Sequence, residues 1–205
     1  MNKRNYQKEL DEIIKKNEAS AKRPSLLLHV CCAPCSSYCM EYLTKYFDMT
    51  LLFYNPNMDE ASEYEKRKNE LLRLVKEAGF PVKTVTDPYE PDEFYNAVKG
   101  MEDIPEGGKR CFACYELRLG RAAEYAAKEG FDYFTTSLSI SPYKNAEKIN
   151  EIGERLALKY GIKHLPSDFK KNDGYKRSIE LSKKYELYRQ DYCGCVFSKK
   201  GRDDN

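Results

Sequence analysis

Seven of the eight cysteines fall in three short groups: Cys31-Cys32-Ala33-Pro34-Cys35, Cys111-Phe112-Ala113-Cys114 and Cys193-Gly194-Cys195. Thiolates are soft ligands that select zinc, copper(I) and iron–sulfur clusters. Two cysteines separated by two residues can turn both sulfurs toward one point. Such a pair alone reads as a redox dithiol, half of a zinc site or part of a cluster site. The count narrows this, because seven thiols exceed the four that one zinc ion or one cubane takes. The neighbouring side chains of Cys31 and Cys32 tend to diverge, which suits two centres better than one, and the soft-ligand argument favours iron–sulfur over zinc. Cys39 stands apart. It lies four residues after Cys35 on the same expected helix and reads as a small buried hydrophobe.

A second constellation lies next to the last cysteines. Lys170, Lys171, Lys176, Arg177 and Arg189 could hold phosphates, while Tyr175, Tyr188 and Tyr192 could stack on unpaired bases. The same residues equally describe a solvated helix start whose tyrosines pack on a sheet. The formal net charge of +2 argues neither for nor against a polyanionic partner, since a basic patch can coexist with an acidic face. His29, without a second histidine near it in the chain, reads as a hydrogen-bonded core residue rather than a ligand. Hydroxyls of Thr135, Thr136 and Ser137 could meet substrate, or simply cap the loop that follows.

The elements that must carry these side chains alternate along the chain. Tyr6, Leu10, Ile13 and Ile14 recur at helical spacing, so an amphipathic helix is expected over residues 5–19. The apolar run 26–30 predicts a buried strand that breaks into the first cysteine group, with a helix continuing from Ser36 or Ser37 to about residue 47. Further strands are expected at 50–54, 81–85, 133–138 and 162–165. Helices are expected at 60–79 (capped by Asp59), 91–99, 113–129, 145–160 and 175–186. The pair Cys111 and Cys114 falls at the mouth of the 113–129 helix.

Strands alternating with helices of ten or more residues give βαβ units and a mostly parallel sheet. The expected architecture is a Rossmann-like three-layer α/β domain of about five strands, with cysteine-rich segments over the strand carboxyl ends. Open α/β sheets bind ligands in that place. A length of 205 residues fits a helical extension over 1–24, one catalytic domain over 25–197 and a disordered tail over 198–205. No apolar stretch approaches the length of a transmembrane helix, and the N-terminus lacks the apolar centre of a signal peptide. A cytoplasmic location is expected, and in a reducing compartment clustered cysteines are ligands or catalytic groups rather than disulfides.

With these residues in hand, the sequence resembles the epoxyqueuosine reductase QueH family. The resemblance rests on 29–36 (His-Val-Cys-Cys-Ala-Pro-Cys-Ser), 111–115 (Cys-Phe-Ala-Cys-Tyr), Arg118-Leu119, Thr135-Thr136-Ser137-Leu138, Pro142-Tyr143-Lys144-Asn145, and the runs 168–178 and 188–195. It implies an iron–sulfur oxidoreductase that reduces the epoxide of epoxyqueuosine, at the wobble position of a tRNA, to queuosine. The implied cofactors are a 4Fe-4S cluster and an adjacent metal ion, iron in the family. The implied partners are that tRNA and an unidentified electron donor, with no membrane.

Carried onto this chain, Cys32, Cys35, Cys111 and Cys114 are assigned to the cluster, and Cys31, Cys193 and Cys195 to the second metal. Cys35 is the weakest member, because another ligand type can fill its position in the family. Asp191 or Tyr192 would deliver a proton to the leaving oxygen, or orient the thiolates. Two alternatives differ in class. One is a zinc-binding RNA-interaction module. The other is an ATP-using tRNA-modifying enzyme of the nucleotide α-hydrolase type, whose glycine-rich phosphate loop is here replaced by cysteines.

Overall fold

A computed structural model describes residues 4–203. Residues 1–3 of the expected extension, and Asp204 and Asn205 of the expected tail, lie outside the described residues. The chain runs α1 (Tyr6–Ala19), β1 (Ser25–Val30), α2 (Ala33–Leu43), β2 (Asp48–Phe53), α3 (Ala61–Ala78), β3 (Val82–Thr86) and α4 (Pro91–Ala97). It continues with α5 (Lys109–Lys128), β4 (Tyr133–Thr136), a 3₁₀ turn (Ser137–Ile140), α6 (Ala146–Tyr160), β5 (Lys163–His164), α7 (Gly174–Lys184) and α8 (Val196–Asp203). The five strands form one sheet of order β3-β2-β1-β4-β5, and every pairing is parallel. The α/β architecture expected from the sequence is the one found.

The run of aliphatic residues in β1 follows from its central place. Residues on alternate sides of a strand face opposite layers, and here both layers are apolar. Leu26, Leu28 and Val30 join the core under α1, α2 and α3, where Leu10, Ile14, Met40, Leu43, Leu71 and Leu74 lie. Leu27 faces the other way, onto Leu119, Ala122 and Ala126 of α5 and Ile149, Ile152 and Leu156 of α6. The N-terminal helix therefore contributes Leu10 and Ile14 to the main core. The chain order reverses between β1 and β4, and the crevice beyond the carboxyl ends of those two strands is where such sheets bind ligands.

Several boundaries differ from expectation, each for a local reason. Helix α2 begins at Ala33 because Pro34 sits in its first turn, where its missing N–H costs nothing. Helix α5 begins at Lys109, so Cys111 and Cys114 lie on the helix itself. Asp59 does not cap α3. Glu60 holds the cap position, and the Asp59 carboxylate instead accepts from the Tyr192 hydroxyl at 2.9 Å and from Lys199 at 3.4 Å. The segment expected to be a disordered tail is instead the helix α8. Phe197 packs on Phe94 and under the Arg110 guanidinium, and Ser198 bonds the Cys195 carbonyl through both its amide and its hydroxyl.

Candidate metal centre

The first cysteine group leaves the carboxyl end of β1 at the reversal point. Cys32 is extended (φ −168°, ψ 163°) and leads directly into α2, whose first turn carries Cys35. This sharp turn gathers the sulfurs of Cys31, Cys32 and Cys35 within 4.8 Å of one another. Cys31 and Cys32 are 3.7 Å apart at sulfur, and Cys31 is 3.7 Å from the Ser137 hydroxyl at the end of β4. Cys111 and Cys114 are three residues apart on α5, a spacing that puts both on one helix face. The Gly107 amide donates to the Cys111 sulfur at 3.2 Å.

Cys193 and Cys195 flank Gly194, whose φ of +114° favours glycine. A Cβ at Gly194 would stand 3.2 Å from Nη1 of Arg67. That same guanidinium donates to the Cys193 carbonyl at 3.2 Å, and the Asp59 amide donates to the Gly194 carbonyl at 2.9 Å. Cys111, Cys114, Cys193 and Cys195 border one small cavity together with Asn57 and Lys144. A larger cavity of about 650 Å³ is bordered by Cys31, Cys35 and Cys193, with Ser141, Tyr143, Asp191 and Tyr192 among its walls. Cys193 borders both, so the three groups converge on one region.

Buried cations stand among these sulfurs: Arg110, whose guanidinium donates to the Glu102 and Ile104 carbonyls, and Lys144, Arg67 and Arg118. Lys144 donates to the Cys193 sulfur at 3.0 Å and pairs with Glu106 at 3.6 Å. Burial pushes Lys144 down, but the Cys193 thiol outweighs it and holds the ammonium well above its usual value. Arg67 pairs with Glu63 at 2.6 Å and lies 5.2 Å from the centre of the Tyr192 ring. Arg118 is 1% exposed, donates to the Asn55 side chain and faces Cys114, Cys31 and Cys193. Among the described residues no carboxylate pairs with it.

Burial pushes the Cys32 and Cys114 thiols up to about 12. The Cys31 thiol is held well below its usual range by its hydrogen bonds to Cys32 and Cys35. Eight buried polar side-chain atoms lack a hydrogen-bond partner among the described residues. Four of them border the cavities: Asn57 Oδ1, Arg67 Nη2, Arg118 Nε and Gln190 Oε1.

Cys31 and Cys111 pack against the same core layer, the one containing Tyr115 and Leu119. Cys35 packs against the opposite layer. Cys39 is fully buried in that layer.

Of the expected proton donors, Asp191 borders the cavity exposed and without a hydrogen-bonding partner among the described residues, whereas the Tyr192 hydroxyl is engaged by Asp59. Tyr175 and Arg189 border the cavity, and Lys171 and Lys176 are exposed. Two members of the basic set are tied down. Lys170 donates to the Ser139 carbonyl and pairs with Asp168, and Arg177 makes paired bonds to Glu41 and a third to Glu180. Tyr188 is also engaged, by Glu63 and by Lys66 over its ring.

His29 is a buried core residue. Its Nε2 donates to the Tyr54 carbonyl at 3.0 Å, its Nδ1 lies 2.8 Å from the Thr136 hydroxyl, and burial pulls its pKa down to about 3. Thr136 also accepts from the Leu138 amide, capping the turn. Sequence reasoning gave Arg67 and Asn57 no part in the site, and it met Lys144 and Gln190 only within the runs that carry the resemblance, with no role assigned. Gln190 donates to the Cys32 sulfur at 2.8 Å.

A family model described as epoxyqueuosine reductase QueH matches residues 26–201. The chain is 45% identical over 200 residues to epoxyqueuosine reductase QueH of Streptococcus pyogenes, covering 96% of this chain and 78% of that one. It is 46% identical over 207 residues to the protein of the same name from Staphylococcus epidermidis, covering 97% and 87%. The Thermotoga maritima protein of that name is 40% identical over 180 residues, covering 85% and 90%.

Proposed function

The chain belongs to the epoxyqueuosine reductase QueH family, and we propose that it acts on the modified base at the wobble position of a tRNA, using metal centres held by its grouped cysteines. It is an oxidoreductase. Converting the epoxide to the cyclopentene removes one oxygen as water and takes two electrons and two protons.

The observation that carries the metal reading is Arg118. A buried guanidinium without a carboxylate is strongly unfavourable, and the groups it faces are the sulfurs of Cys31, Cys114 and Cys193. Thiolates bound to metal complete that charge balance. The partnerless polar atoms of Asn57, Arg67 and Gln190 beside the same sulfurs support the fit. Cys32, Cys35, Cys111 and Cys114 would hold the 4Fe-4S cluster, and Cys31, Cys193 and Cys195 the adjacent metal ion, iron as the resemblance implies. The first cysteine group is gathered within 4.8 Å, and Cys193 borders a cavity with each of the other two groups. Held by these residues, the cluster would supply electrons one at a time and the metal ion would supply a Lewis acid beside the cavity.

The remaining work falls to the protein. A cavity of about 650 Å³ lies within the range of small-molecule sites and suits a flipped nucleoside. Asp191, partnerless at its wall, is placed to give a proton to the leaving oxygen. Tyr192, held by Asp59 and stacked near Arg67, fixes the segment that carries Cys193. Arg189 and Tyr175 meet the RNA at the cavity, and exposed Lys171 and Lys176 meet its phosphates. The reading places the reaction in the cytoplasm.

The test is anaerobic turnover of an epoxyqueuosine-containing tRNA with a chemical reductant, followed by nucleoside mass analysis. Loss of one oxygen by the iron-loaded protein supports the reading. Protein that holds stoichiometric zinc without iron or acid-labile sulfide, after expression with ample iron, contradicts it.

A further inference from the structure

Four large hydrophobic or aromatic side chains stand well exposed: Leu72, Tyr95, Tyr143 and Leu158. Single exposed side chains of this kind are ordinary and need no explanation. Tyr143 differs from the other three by position, because it alone lines the larger cavity. Its side chain is 75% exposed, and among the described residues its ring has no aromatic or cationic neighbour.

The backbone beneath that ring is firmly held. The Ser141 amide bonds the Leu138 carbonyl, the Lys144 amide bonds the Ser141 carbonyl, and the Tyr143 amide bonds the Ser141 hydroxyl at 3.3 Å. Pro142 restricts the residue before it in the turn. Lys144 is anchored inside by Cys193 and Glu106, and Asn145 caps α6 through the Lys148 amide. A fixed backbone on both sides of a free aromatic ring presents that ring at a ligand cavity, so that contact has only the side chain's own rotamers left to order.

We propose that Tyr143 is a stacking platform for a nucleobase flanking the modified base in the RNA loop. The proposal rests on the tRNA reading above and adds to it a residue that recognises the substrate outside the modified base. The chemistry is general: a base next to a flipped nucleotide loses a stacking partner, and an aromatic ring at the cavity rim replaces it. Because every base has a π-face, such a contact sets affinity for an unpaired loop and is tolerant of sequence.

The experiment uses an anticodon stem-loop RNA carrying epoxyqueuosine, and two further RNAs in which one flanking nucleotide on either side is abasic. Wild-type protein is compared with Tyr143→Ala, Tyr143→Phe and Tyr143→Trp under anaerobic turnover and in direct binding. Tyr143→Ala should bind the intact RNA about 5- to 150-fold more weakly, the range given by alanine substitution at base-stacking aromatics. Its KM should rise far more than its kcat falls, and Phe and Trp should restore affinity.

On one of the two abasic RNAs, wild type and Tyr143→Ala should bind alike. A Tyr143→Ala protein that binds every RNA as wild type does, while wild type reduces the intact RNA, overturns the stacking role and leaves the tRNA reading standing. Equal losses for Tyr143→Ala on all three RNAs also overturn it, since the contact then does not involve a flanking base. Iron-loaded wild type that leaves the modified base in RNA unreduced overturns the reading on which the proposal rests.

Discussion

Buried charge at Arg118, Arg67 and Lys144 has to be met by something, and the sulfurs around them are what the fold supplies. This gives the cysteines unequal roles. Cys111→Ala and Cys114→Ala should each remove most of the visible absorbance of anaerobically prepared protein, whereas Cys193→Ala and Cys195→Ala should keep it and lose turnover. Equal loss of absorbance from Cys114→Ala and Cys195→Ala would contradict the division made here. Cys39→Ala should keep both spectrum and turnover, with about 1 kcal/mol of stability lost to the small void it leaves.

His164 offers a test independent of metal. Both its ring nitrogens are buried without partners, and burial pulls its pKa to about 3. A depressed folded value means that the neutral form is the folded one. Its contribution is fully present above about pH 6.5 and is lost as pH falls toward 3. Between pH 6.5 and 5 the wild type should lose on the order of 2 kcal/mol to this group, and His164→Phe should flatten that decline in denaturant titrations. The cysteines were legible in the sequence because thiols are scarce and these come in groups. Arg118 and Lys144 stood in runs that carry the resemblance, but their burial beside the sulfurs was not legible, because chain order does not reveal which of 35 basic residues fold inward.

Helix α3 braces the segment that delivers the last cysteines. Arg73 takes the Tyr185 carbonyl, Glu70 takes the Tyr188 amide, and Arg67 takes the Cys193 carbonyl. Gly194 is the point where this brace packs closely, with Nη1 of Arg67 3.2 Å from where a Cβ would stand. Gly194→Ala should cost about 1–3 kcal/mol through its positive φ alone. It should also increase protease cleavage near residue 193 while the spectrum of the core fold persists. The alternating strands and helices were visible in the apolar pattern. Their ends were less so: Pro34 and the Lys109 start put Cys35 and Cys111 in helix first turns and Cys114 one turn further on, and in α8 Phe197 packs on Phe94 and Arg110, partners distant in the chain.

At the scale of the whole molecule, the first cysteine group lies where the order of strands reverses, between β1 and β4. Strand order is a long-range property, so the sequence could indicate a parallel sheet but not that β1 lies at its centre. RNA contact is likewise a property of the assembled surface. Lys176→Ala should weaken RNA binding and lower its salt slope by about 1, with the metal spectrum intact. Arg177→Ala should instead lower stability, because its guanidinium is committed to Glu41 and Glu180.

The most direct measurement mixes chemically reduced, iron-loaded protein with one equivalent of epoxyqueuosine-containing stem-loop RNA under anaerobic conditions. It follows the visible spectrum and the nucleoside products together. The account predicts that the spectrum returns toward its oxidised form in step with queuosine formation. Queuosine formed with no spectral change, or formed equally by iron-free protein, would contradict it.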